Sequence, residues 1–348
     1  MVHLDDYMRK LAVVNATDLL LSAGRPPLYR ARGELLPLPG EGVVADDALR
    51  AELETLLGAD AWETLQQEQR VAFSCVLRAG ERIRGTCHVS AHGLTVKLSL
   101  LGAQSERLAE LELPKILEPL LGAQSGMVII TGPAGSGKTT LIARVVSQLA
   151  AGRSLHIATS EDPVEYRLHG GESIVVQRSI GRHCASHAQA IDTALATQAQ
   201  IIACSDLAAP RALEGMLEAA NAGVLALGEL PGYGVVRALE QLVLGAPQHA
   251  RSQLLVDLAD ALLAVVSLDL LPRKSGGRVL AVEVLLSTRN VCSLVRDGKL
   301  SLLSGLLDRE PGMQSMDRSL LDLATRGVVE GREAYTRAVD KRLLSAWS

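Results

Sequence analysis

Aromatic residues are nearly absent from this chain of 348 residues: they make up 2%, with two tryptophans, five tyrosines and a single phenylalanine, Phe73. Its cores must therefore be built from Leu, Val, Ile and Ala, and a hydrophobic content of 48% supplies them amply. A surplus of positive charge is missing too. The formal net charge is −4, which gives no electrostatic footing for a nucleic-acid partner. No run approaches the ~18 uncharged apolar residues of a spanning helix, so no transmembrane segment is expected. The opening Met1-Val2-His3-Leu4-Asp5-Asp6 lacks the basic start and apolar centre of a secretory signal. Cysteines are few, at 75, 87, 184, 204 and 292, and no C-x-x-C pair occurs. The expectation is reduced thiols in a cytoplasmic protein, with neither a disulfide frame nor a zinc site. His183-Cys184 with His187 is the one grouping of soft ligands, and it reads as a chance surface cluster lacking a second ligand pair.

What the chain does contain is a phosphate-loop pattern. Gly132-Pro133-Ala134-Gly135-Ser136-Gly137-Lys138-Thr139 follows the apolar run Met127-Val128-Ile129-Ile130 and leads into the helical pattern Leu141-Ile142-Ala143-Arg144-Val145-Val146. Strand, glycine-rich loop and helix form the setting in which G-x4-G-K-[ST] carries meaning. Glycines let successive N–H groups turn inward around phosphate oxygens, and the helix N-terminus adds partial positive charge. Residues 132 to 139, with Thr140 behind them, are the nucleotide-binding candidates. Lys138 is assigned to the β- and γ-phosphates of ATP and the Thr139 hydroxyl to a Mg2+ position.

The length favours two domains. Residues 2–15 read as a helix, 18–21 and 28–32 as strands, 37–42 as a Pro/Gly-rich loop and 45–69 as a helix. Three further strands, near 71–76, 82–86 and 94–98, complete a small α+β module with helices on one face of an antiparallel sheet. We place this domain at 1–105, with a linker over 101–112. The second domain, 106–348, alternates strands (154–159, 173–177, 200–204, 224–228, 263–270, 278–286) with helices (139–151, 186–198, 210–222, 234–243, 248–261). That is an α/β pattern with a mostly parallel, doubly covered sheet. Four short helices are expected in a terminal subdomain over about 288–348.

A nucleotide hydrolase also needs carboxylates, one on the metal side and one to orient water. Glu161-Asp162-Pro163-Val164-Glu165 follows a strand, at the end of the sheet where ligands bind in open α/β folds. Asp206 follows the apolar strand Ile201-Ile202-Ala203-Cys204 and is read as facing the metal, against the alternative of a helix cap.

Taken together these residues resemble the type IV pilus retraction ATPases, the PilT/PilU group of the secretion ATPase superfamily, over nearly the full chain. Asn15-Ala16-Thr17-Asp18-Leu19-Leu20-Leu21 with Gly24-Arg25-Pro26-Pro27 resembles the family's N-terminal module, and Glu161-Asp162-Pro163-Val164-Glu165-Tyr166 resembles its Asp box (Glu161, Asp162, Glu165). Gly276-Gly277-Arg278-Val279 and Gly312-Met313-Gln314-Ser315-Met316-Asp317 are late matches. The resemblance implies a RecA-like P-loop core, a PAS-like N-terminal domain, ATP and Mg2+ as cofactors, and a hexamer with ATP between subunits. It also implies docking on an inner-membrane pilus platform protein from the cytoplasmic side.

The departures are specific. Where the family's Walker B reads glycine-glutamate-methionine-arginine-aspartate, this chain has Ser205-Asp206-Leu207-Ala208-Ala209. The His-box histidine, expected after a glycine-threonine-leucine run, is replaced by Pro231 in Gly228-Glu229-Leu230-Pro231-Gly232. Two arginines before Walker B become Asp192 and Ala196, another becomes Leu98 beside Lys97, and a late motif shrinks to Val291-Cys292-Ser293-Leu294. Arg82 and Arg84 remain as candidate trans-acting arginines. The resulting expectation is an ATP-binding subunit with weak or absent hydrolysis, in a homo-hexamer or a mixed ring with an active paralogue. The alternatives are a fully active hexameric retraction ATPase using Asp206 and Glu161 and, ranked last, a pilus assembly or type II secretion ATPase. That last group carries a tetracysteine zinc module, which these cysteines do not match.

Overall fold

A β-strand alternates its faces, and in the N-terminal third most strands bury mainly one face. The computed structural model describes residues 4–347 except 15, 17, 32–33, 78–79, 102–107, 109–110 and 112. It divides into two units, Met1–Glu106 and Arg107–Ser348. Unit 1 runs α1 (Leu4–Val13), β1 (Asp18–Ser22), β2 (Leu28–Ala31), β3 (Glu34–Pro37), α2 (Asp46–Glu68), β4 (Arg70–Val76), β5 (Arg82–Ser90) and β6 (Gly93–Leu101). The strands form one antiparallel sheet in the order β3-β2-β1-β6-β5-β4. Leu19, Leu21, Ile83, Leu94, Val96 and Leu98 meet Leu4, Met8 and Leu11 of α1 and Leu49, Leu53 and Leu65 of α2 in a single core. Two details differ from the sequence reading. Glu34–Pro37 is a strand, held by pairing with β2 although all its side chains are exposed. The helix read over 45–69 is interrupted at Gly58, where φ is 75°. Asn15, Thr17 and most of the linker lie outside the described residues.

Unit 2 continues with a 3-10 helix (Lys115–Gly122), β7 (Gly126–Gly132), α3 (Lys138–Ala151), β8 (His156–Glu161), β9 (Ile174–Ser179), α4 (His187–Ala196), β10 (Ile201–Cys204), α5 (Ala212–Asn221), β11 (Leu225–Pro231), α6 (Val235–Gly245), α7 (Arg251–Ala261), β12 (Leu262–Pro272) and β13 (Arg278–Leu286). The sheet order is β13-β12-β7-β11-β10-β8-β9, parallel throughout except for the β12–β13 pair. Beyond it lie α8 (Arg289–Arg296), a 3-10 helix (Leu300–Leu306), α9 (Met316–Thr325) and α10 (Gly331–Arg337).

Both faces of this sheet are covered, which is why its strands read as apolar runs rather than alternating ones. Val128, Ile130, Ile157, Ile201, Ala203, Leu225 and Leu227 pack with Leu141, Ile142, Val145 and Val146 of α3. Met127, Ile129, Ala158, Ile202, Cys204 and Ala226 pack the other way, against α4, α5, α6 and α7. The alternation is strict, so each strand's last residues divide between the two faces in advance. Thr159, Glu161 and Glu229 follow the α3 face, whereas Ser160 follows the opposite one.

The late family-like motifs serve this framework. Gly276 (φ 91°) and Gly277 (φ 75°) take positive φ at the close of the turn between β12 and β13, where Gly276 N–H donates to Arg273 O (3.1 Å) and Arg273 N–H to Gly277 O (3.0 Å). Glu283 on β13 accepts from the Val235 N–H at the start of α6 (2.8 Å). Asp317 accepts from Val339 and Asp340 N–H groups, both at 2.8 Å. Among the described residues no helix is long and apolar enough to cross a membrane.

Gly228 shows how tightly the end of β11 is set. A Cβ there would lie 2.5 Å from a methyl carbon of Leu207, in the loop after β10. Gly228→Val is therefore expected to cost ~1–3 kcal/mol through overpacking. The loss is read as a lower urea midpoint and should be partly recovered in the Gly228→Val, Leu207→Ala double variant.

Candidate functional site

The site grows from the turn that joins β7 to α3. Gly132 (φ 150°), Gly135 (φ 79°) and Gly137 (φ 95°) occupy conformations that other residues rarely adopt. Gly132 is required twice over, because a Cβ would lie 2.4 Å from Ser136 Oγ and 2.6 Å from the Leu268 carbonyl oxygen. Ser136 Oγ is buried without a hydrogen-bond partner. The first N–H groups of α3 have no carbonyl one turn behind them, as at any helix start. A backbone cradle, an unsatisfied buried hydroxyl and a lysine at the helix start fit a polyphosphate.

Lys138 Nζ folds onto the loop's own carbonyls, donating to Gly132 O (2.9 Å) and Pro133 O (3.0 Å). Burial lowers its pKa and the charge of Glu229 opposes that shift. Thr139 Oγ1 donates to Glu229 Oε2 at 3.2 Å. Thr140 is turned elsewhere, its hydroxyl 2.8 Å from that of Tyr166.

A second wall comes from the end of β8. Glu161 Oε1 accepts from Thr159 Oγ1 (2.6 Å) and Gln177 Nε2 (3.0 Å), and its Oε2 faces the Glu165 N–H at 3.4 Å. Desolvation pushes its carboxyl upward against those hydrogen bonds. Glu161, Thr159, Gln177, Tyr166, Ser205, Thr139 and Glu229 line one cleft. Asp162, largely exposed, donates its N–H to Ser205 Oγ at 3.2 Å.

Asp206 is placed differently. Its Oδ1 accepts the Ala208 N–H at 2.9 Å, a local turn, and it is not among the residues lining the cleft. Its charge acts instead on His187, on the opposite face of the sheet. That histidine corrects the surface-cluster reading: it is buried, with Nδ1 2.7 Å from Ser160 Oγ. Strand parity turns Ser160 toward α4, and His187 in the first turn of α4 meets it there. Among the described residues no group of three or more His, Cys, Asp or Glu side chains is arranged to hold a metal. Arg82 and Arg84 stand two residues apart on β5 of unit 1, so both leave the same face of that sheet.

Glu229 is the residue whose importance the motif pattern did not convey. It is 5% exposed, and its pKa is pushed up to about 8, first by burial and then by Glu165 and Glu161, against the pull of Thr139 and Lys138. A charge set inside the otherwise apolar stretch Val224 to Leu230 was the available signal.

Residues 88–275 match the family of type II/IV secretion system proteins. The chain belongs to that family. It is 32% identical to protein YggR of Escherichia coli (strain K12) over 307 residues, 88% of this chain and 93% of that one. With the type IV pilus ATPase PilU of Pseudomonas aeruginosa it shares 29% identity over 96% of this chain and 88% of the relative. The solved pilus retraction motor PilT with bound ADP superposes with a TM-score of 0.84 at 28% identity, covering 99% of this chain and 100% of that one. The architecture is thus the two-domain RecA-like fold of the secretion ATPases.

The family member's raised carboxyl makes a prediction about stability. Between the ordinary carboxyl value and about 8, the folded chain retains a proton on Glu229 that the unfolded chain has released. Fewer protons are then bound in the unfolded state, so this group makes stability fall as pH rises through that window. Glu229→Gln removes the dependence. Without metal or nucleotide, its urea midpoint should gain on the parent's by the equivalent of a few kcal/mol between pH ~5 and ~8; parallel curves would contradict it.

Proposed function

We propose that this chain is the ATP-binding subunit of a type IV pilus retraction machine of the PilT/PilU kind, with weak or absent ATP hydrolysis. The carrying observation is the division within the cleft. Lys138, Thr139, Ser136 and the glycines keep the form of a phosphate cradle, while Asp206 gives its carboxylate to the Ala208 N–H. A carboxylate one methylene shorter than the family's glutamate, and turned aside, is badly placed to align water, since ~1 Å of error can cost ~10²-fold in rate. Mg2+, when bound with ATP, would neutralise charge on the β- and γ-phosphates. Thr139 is the hydroxyl that would hold it, and Lys138 would leave its loop carbonyls to reach the phosphates. The likeness to PilT and PilU supports a homo-hexamer, or a mixed ring with an active paralogue, at the cytoplasmic face of an inner-membrane platform protein. Arg82 or Arg84 would be the arginines offered to a neighbour's nucleotide.

Glu161 favours a second reading, a fully active retraction ATPase. Its carboxyl is dehydrated and held by two side-chain donors in the cleft, the state in which a carboxylate serves as a general base. Binding of a fluorescent ATP analogue and steady-state phosphate release, measured on one preparation, separate the two. The leading reading expects nucleotide binding that Lys138→Ala weakens by ~10–100-fold, with phosphate release close to background in both proteins. Sustained release abolished by Lys138→Ala and by Glu161→Gln would establish the active motor instead.

A further inference from the structure

The cleft holds one carboxylate that the phosphate loop and the Asp box leave without a task. Glu229 lies on β11, the strand between β7 and β10, and strand parity aims it at the first turn of α3. It is almost fully buried and, among the described residues, makes no salt bridge. Among the described residues its carboxylate accepts one hydrogen bond, from Thr139 Oγ1, the hydroxyl assigned to the nucleotide's metal. Burying a carboxylate is costly unless a cation or several donors meet it. The nearby ammonium of Lys138 is engaged with Gly132 and Pro133 carbonyls.

Geometry indicates which cation suits the gap. Mg2+ binds oxygens at ~2.0–2.1 Å in an octahedron, so adjacent ligand oxygens stand ~2.8–3.0 Å apart. Thr139 Oγ1 and Glu229 Oε2 are 3.2 Å apart, a few tenths of an ångström from such an edge. Mg2+ also prefers one or two carboxylates plus phosphate oxygens and water to a full protein cage, which agrees with a cleft that offers no three-ligand cluster. Asp206 makes its turn hydrogen bond outside the cleft.

We propose that Glu229 is the metal-side carboxylate of the nucleotide site, holding the divalent cation beside Thr139 directly or through one of its waters, in the position the sequence spacing assigns to Asp206. The inference rests on the nucleotide-binding reading above. It has a signature separate from turnover. Without metal, Glu229 offers the phosphates no attraction; with metal, it helps bind them. Nucleotide affinity therefore depends on metal through this one side chain.

The test is titration calorimetry of the full chain with a non-hydrolysable ATP analogue, in Mg2+ and in EDTA. The parent should bind ~10–100-fold more tightly in Mg2+. Glu229→Gln, close to isosteric, should bind at least as well as the parent in EDTA yet gain little from Mg2+. Asp206→Asn should keep the parent's gain. The proposal is overturned if Glu229→Gln keeps the full gain, if Asp206→Asn loses it, or if Glu229→Gln weakens binding equally in both media, the mark of a structural role. No binding by the parent in either medium would remove the nucleotide reading and this inference together. Binding without a Glu229-dependent metal effect removes only the inference.

Discussion

A strand buried on both faces can offer a polar side chain to a ligand only where its pairing ends, and its alternation decides which face that side chain serves. The cleft of unit 2 depends on this constraint. β7, β8, β10 and β11 run parallel in fixed register, with Ile129, Ser160, Cys204 and Gly228 side by side near their C-terminal ends. At that level the residues on the α3 side are Thr159, Glu161, Ser205 and Glu229, which meet the phosphate loop. The residues on the other side, Ser160 and Asp206, meet His187 and the helices beyond. Two neighbouring positions in sequence, Ser205 and Asp206, are thereby sent to different environments.

The electrostatics follow from that layout. Glu161 and Glu229 line a common cleft, and each is raised by burial and by acidic neighbours, Glu165 among them. Lys138 is pulled the opposite way by the same burial. Burial thus shifts acids and lysine alike toward their neutral forms. A site of this kind is stable only in part: Lys138 bonds to its own loop, and the Ser136 hydroxyl stays unsatisfied. A bound polyanion with its cation addresses all three deficits at once, giving the lysine a phosphate, the hydroxyl an acceptor and the carboxylates a counter-charge.

How much of this was legible in the sequence varies with the physics of each part. The loop from Gly132 to Thr139 was readable because backbone demands at three glycines and one lysine are local. The alternation of strands and helices in unit 2 was readable because continuous apolar runs of five or so residues, spaced by helical patterns, have few other solutions. Glu34–Pro37 was not, since an edge strand with four exposed side chains carries no burial pattern and exists through its partner β2. Gly58 interrupts a helix whose flanks both look helical, and only its backbone angles reveal the break. At the site, Asp206 was read as facing the metal because it closes an apolar strand, a usual place for a metal-side acid. Spacing along one strand does not record that the carboxylate meets a nearby N–H first, nor that a neighbouring strand carries its own acid at the same level.

Those last two facts change the meaning of the departures from the family pattern. Matches late in the chain, at Gly276, Gly277, Glu283 and Asp317, hold a hairpin, a helix start and the terminal segment. They bear on fold, and their retention says nothing of hydrolysis. The losses at Asp206 and Pro231 lie near the cleft, but so does the gain of Glu229, and counting losses alone treats the site as though charge had only been removed. The acid at Asp206 has left the cleft while another stands on the adjacent strand, one residue past a glycine that Leu207 packs against. Moving a metal-side carboxylate from one strand to its neighbour preserves the charge that a Mg·nucleotide needs. It does not restore a group in line to align water, because Glu229 approaches from the side of Thr139 and the loop. With Glu229 as the metal-side carboxylate, metal-linked binding and poor hydrolysis would be compatible in one site.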